Sequence, residues 1–126
     1  MSAGSPAASR LLGVAADLVE RVGLWPGDYW PGCAEFSVYC EGDPVCALGA
    51  LIVADAGPGA PPPVELSAAV EQACAAVECH LGLSGQGAVP EWADAHGQTA
   101  GEVAAVLRAT AQEVAAQEVT AGGGVR

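Results

Sequence analysis

Asp43-Pro44-Val45-Cys46-Ala47-Leu48-Gly49-Ala50-Leu51-Ile52-Val53 is the stretch on which the fold turns. An aspartate followed by a proline is a helix-start pattern, because the carboxylate can accept from unpaired amides and proline suits the first helical position. It predicts a helix from Pro44 to about Asp55, with Asp43 as N-cap and Cys46 as the third helical residue. Behind that start the residues are apolar on every side, which places the helix at the centre of a folded domain. Cys46 then has two readings. Near the positive end of a helix a thiol can become nucleophilic, whereas apolar burial keeps it inert. The apolar helix behind Cys46 favours a small thiol that permits close packing.

Working outward toward the N-terminus, Leu11, Ala15, Leu18 and Val22 form a helical stripe, with Leu12 and Val19 beside it. A first helix is expected from about Pro6 to Val22, stopped by Gly23. Between the two helices, Leu24-Trp25-Pro26-Gly27-Asp28-Tyr29-Trp30-Pro31-Gly32-Cys33 combines turn residues with most of the aromatic area of the chain. Such a loop is expected to fold back over the core. The following Glu35-Phe36-Ser37-Val38-Tyr39-Cys40 alternates weakly and reads as one short strand or extended segment.

Toward the C-terminus, Gly57-Pro58-Gly59-Ala60-Pro61-Pro62-Pro63 must end the central helix and reads as a flexible, proline-stiffened connector. A third helix is expected from about Val64 to Leu81, with Leu66, Val70, Ala73, Cys74, Val77 and Leu81 on one face and Gly82 as its stop. Val89-Pro90-Glu91-Trp92-Ala93-Asp94 reads as a short helical turn. Thr99-Ala100-Gly101-Glu102 is a capping box before a last helix expected to reach about Val119. Residues 121–126 read as a fraying tail, leaving residues 1–120 as a single domain. The architecture expected is therefore a compact all-α bundle of four main helices, with an aromatic loop after the first and an extra helical turn before the last.

Composition narrows the function classes. The chain has 126 residues, which suits one domain with its own core. It contains no lysine, and Arg10, Arg21, Arg108 and Arg126 oppose fifteen carboxylates for a formal net charge of -11. Phosphate backbones and anionic membranes require clustered basic residues, so neither nucleic acid nor membrane is an expected partner. The most apolar run, Val45 to Ala54, is about half a bilayer crossing. Met1-Ser2-Ala3-Gly4-Ser5-Pro6 lacks the pattern of a secretory signal, so a cytoplasmic location with reduced cysteines is expected. An acidic protein can also imitate nucleic acid, but the carboxylates are scattered along the chain with no acidic run.

Three constellations could carry chemistry. Cysteine and histidine could hold zinc, but Cys33, Cys40, Cys46, Cys74 and Cys79 lack the close pair spacing that zinc sites use. Adjacent Cys79 and His80 diverge on a helix, so no metal and no cofactor is expected. A cysteine-dependent enzyme would use Cys46 as nucleophile with His80 or His96 as base and Asp94 orienting a histidine. Trp25, Asp28, Tyr29 and Trp30, together with Trp92 and Asp94, form the candidate binding set, since aromatic residues anchor interfaces. Each also has a structural role available: the aromatics can cap an alanine-rich core, and Asp94 can accept from turn amides.

Ala16-Asp17-Leu18-Val19-Glu20, Trp25-Pro26-Gly27-Asp28-Tyr29, Cys46-Ala47-Leu48-Gly49-Ala50-Leu51, and Trp92-Ala93-Asp94 with Gln98-Thr99-Ala100-Gly101-Glu102-Val103 follow one another in order. In that order they resemble the motifs of a family of small uncharacterised proteins from high-GC Gram-positive bacteria and their phages. The likeness covers about Ala15 to Leu107. Ala93 stands where the pattern has Asn, and Gln98 where it has Arg, so a site built on either would be absent here. The resemblance implies a family and no activity. Taken together, the residues point to a non-catalytic binding or accessory module acting on a partner protein, with a second copy of the chain as one candidate. A Cys46 enzyme and an acidic mimic of nucleic acid stand behind it.

Overall fold

The first helix, α1 (Pro6–Val22), buries Leu11, Leu12, Ala15, Ala16, Leu18 and Val19, and leaves Arg10, Val14, Asp17, Glu20 and Arg21 in solvent. This is the expected stripe, and the helix stops where the Gly23 amide donates back to the Val19 carbonyl at 2.8 Å. The computed structural model describes residues 6–25, 29–32, 35–57, 59, 61, 65–82 and 99–125. Among these, three more helices follow: α2 (Ala47–Ala56), α3 (Ala68–Leu81) and α4 (Ala100–Val125). The fold is the all-α, four-helix bundle that the periodicities predict. Helices α1 and α3 each contact all the others.

The central helix begins later than the Asp-Pro signal implies. Its N-cap is Cys46, in extended conformation, and the thiol accepts from the Gly49 amide at 3.2 Å. The reason lies far away in sequence. Val45 pairs in a parallel bridge with Leu24: Trp25 donates to the Val45 carbonyl at 2.8 Å, and Val45 donates to the Gly23 carbonyl at 3.2 Å. A residue held extended in that pairing cannot be helical, so Asp43, Pro44 and Val45 are excluded and the cap moves to the next residue. From there Ala47, Gly49, Ala50, Leu51, Ile52 and Val53 are all buried, as an all-round apolar helix requires.

Helix α3 also starts later than expected, at Ala68 instead of Val64, where the Ser67 hydroxyl accepts from the Val70 amide at 3.2 Å. Its end follows the sequence signal: Gly82 takes the left-handed conformation at φ 71°, which glycine adopts without cost. The expected strand at Glu35 to Cys40 is not formed. Glu35 and Phe36 lie in a tight turn, and the Leu24–Val45 bridge is the β pairing recorded among the described residues. In α4 the capping box is made in full, with Thr99 and Glu102 each accepting from the other's amide at 3.1 and 2.8 Å. That helix runs past Val119 to Val125. The predicted turn at Val89 to Asp94 lies outside the described residues.

The core is built mainly of Ala, Val and Leu, with Trp30 and Tyr39 as its largest members. Small side chains on α1 and α2 allow helices to approach closely, so dispersion contacts replace bulk. Thr110 is the buried polar side chain among the described residues; its hydroxyl donates to the Val106 carbonyl at 2.8 Å and so carries no unmet bond.

Candidate functional site

The segment between α1 and α2 carries Phe36 and Val38, exposed large apolar side chains among the described residues, and its construction starts from two buried rings. Trp30 is fully buried, its indole N–H donating to the Ser37 carbonyl at 3.0 Å. Tyr39 packs edge-on against it at 5.7 Å between centroids, and its hydroxyl donates to the Asp43 carbonyl at 2.9 Å. Burial pushes the Tyr39 phenol above its ordinary pKa, which keeps it a neutral donor. Both polar handles are thus satisfied, as buried Trp and Tyr require. Tyr29 lies 5.7 Å from Trp30, and its backbone crosses so close to α2 that its carbonyl accepts the Cys46 amide at 2.9 Å.

Between those anchors the chain makes a clamp. The Gly32 carbonyl accepts from both Glu35 and Ser37, each at 3.0 Å, which pins the residues on either side of Phe36. Phe36 is left at φ 63°, a conformation that non-glycine residues rarely adopt, with 82% of its surface exposed. Val38 is exposed beside it at 46%. The alternation of the segment explains the direction: with Tyr39 turned inward, Val38 must face out.

Tyr39 and Glu41 also form one wall of a cleft of about 290 Å³. Its lining also includes Val14, Asp17, the buried Leu18 and Arg21 of α1, and Val53 and Ala54 at the end of α2. Asp17 and Glu20 share Arg108 of α4 at 2.7 and 2.6 Å. The guanidinium holds the Glu20 carboxyl below its ordinary range, and the two carboxylates push the arginine pKa up in turn.

Of the residues singled out in sequence, the structure brings together Tyr29, Trp30 and Cys46, and places Trp25 half-buried at the Leu24–Val45 pairing. Asp28, Trp92, Asp94 and His96 lie outside the described residues. Cys46 is 4% exposed and its sulfur faces the Gly49 amide. Cys74 sits near enough to feel it, and burial above all pushes the Cys74 thiol up to about 12, keeping it protonated at neutral pH. His80 on α3 lies 2.7 Å from Glu113 of α4 and serves as a tie between helices. Among the described residues no group of three or more His, Cys, Asp or Glu is placed to hold a metal ion, and no helix is long and apolar enough to cross a membrane.

Sequence reasoning passed over Phe36, Val38 and the cleft. The signal that could have found the first two is the phase of the alternation, once Tyr39 is assigned to the core. A family model described as a family of unknown function (DUF6197) matches residues 4–113. No curated protein and no solved structure matches the chain.

Proposed function

Because the chain belongs to DUF6197, a family of unknown function, its role must be argued from its own surface, and we propose that it is a non-catalytic binding module engaging a protein partner through the Phe36 loop. The observation that carries this reading is Phe36 itself. A left-handed backbone at a non-glycine residue costs about 1–3 kcal/mol. Leaving a phenylalanine ring in water forgoes a further ~1.5–3 kcal/mol of burial. A glycine would avoid both costs at this position. Two unfavourable choices at one residue, on a loop anchored by Trp30 and Tyr39, are what a preorganised contact point requires.

The test uses the whole chain with the substitution F36S. A photoreactive phenylalanine analogue at position 36 is expected to form a discrete adduct with one protein in host-cell lysate. F36S is expected to weaken capture of that protein by at least about tenfold, the cost of losing an aromatic anchor, with an unchanged or higher melting temperature. Full retention of capture by folded F36S would refute the reading.

A further inference from the structure

We infer that the partner presents a basic segment, whose arginine or lysine side chain seats in the cleft between α1 and the end of α2 while its apolar residues pack on Phe36 and Val38. This rests on the binding reading above and adds the chemistry of what is bound. The size of the cleft is the first argument. At about 290 Å³ it lies at the small end of ligand pockets, roughly 300–1,000 Å³, and has room for a long side chain. The exposed apolar surface of Phe36 and Val38 extends along the same segment as the cleft wall, which fits a chain continuing past the cleft.

Charge is the second argument. Asp17 and Glu41 face the cleft with Arg21, but Asp17 is already held by Arg108 at 2.7 Å, which leaves the attraction to Glu41. Glu41 makes no ion pair among the described residues, so a carboxylate remains for an incoming cation. The end of α2 also lines the cleft, and its own last turn carries no basic residue, so Arg21 of α1 is the cation that shares the cleft with the negative pole of that helix. Val14 and Leu18 offer an apolar path for the methylene stem of a lysine or arginine. A formal charge of -11 with no lysine steers basic partners in and acts against a second copy of the chain.

The experiment measures fluorescence anisotropy of a labelled helical peptide with arginine and leucine on opposite faces, and of its counterpart with glutamate in place of arginine, against the full chain. The basic peptide is expected to bind and the acidic one to fail. Raising salt from about 50 to about 300 mM is expected to weaken binding at least fivefold. E41Q should weaken it about threefold and E41R about tenfold, both with unchanged circular dichroism, and F36S should abolish it. Binding indifferent to E41R and to salt, while F36S still loses the lysate partner, overturns this inference and leaves the binding module standing. Self-association that F36S abolishes overturns it in favour of a second copy. If F36S retains the lysate partner, the binding reading fails and this inference with it.

Discussion

At Gly49 the missing side chain is a requirement of packing. A Cβ placed there would lie 2.8 Å from both the carbonyl carbon and the Cα of Tyr29, with the carbonyl oxygen nearer still. Those are backbone atoms that cannot swing aside, and the Tyr29 carbonyl is already committed to the Cys46 amide. Within an unobstructed helix, Gly to Ala stabilises by up to ~1 kcal/mol. Here the sign reverses: G49A should destabilise the protein by about 1–3 kcal/mol through overpacking, read as a lower urea midpoint. A stabilised G49A would mean that the Tyr29 backbone does not rest on α2. Tyr29 and Phe36 are the described non-glycine residues with positive φ, at 43° and 63°. One is held by contact with α2, the other by the Gly32 clamp.

Helix ends separate what was legible in the sequence from what was not. The Thr99–Glu102 capping box was readable because both partners sit within one turn, and T99A should cost about 1 kcal/mol, measured as a drop in melting temperature with α4 signals most affected. The α1 stripe, the Gly82 stop and the apolar α2 were readable for the same reason: periodicity and turn chemistry are local. The start of α2 was not. Asp43-Pro44 carries a valid local signal, and the competing bond comes from Gly23 and Trp25, across the whole intervening loop. The candidate site was less legible still. The aromatic loop was recognised, but its outward residue was missed, because Phe36 is turned out by the Gly32 carbonyl and by Tyr39 facing the core. A cleft assembled from α1, α2 and the segment between them leaves no pattern within any one of them.

Among the described residues α1 makes the most extensive contact with the last helix, and Arg108 is the polar part of that contact. The sign of its pH dependence follows from Glu20. A carboxyl whose pKa is lowered on folding contributes stability above its unfolded value, and that contribution is lost as pH falls through the folded value. With an ordinary value of 4.5, the loss belongs below that pH. Wild type should therefore lose more thermal stability than R108M between about pH 6 and about pH 3. Equal losses would show that the exposed pair contributes nothing, a common result for surface ion pairs. The Leu24–Val45 pairing has a different kind of consequence. It ties off the intervening chain at its base, and Trp30 and Tyr39 tether it again further in. Lengthening the tip between two such tethers costs only logarithmically, about 0.6 kcal/mol for each doubling. The tip is thus a segment whose length and residues can diverge while the helices beneath it keep their register.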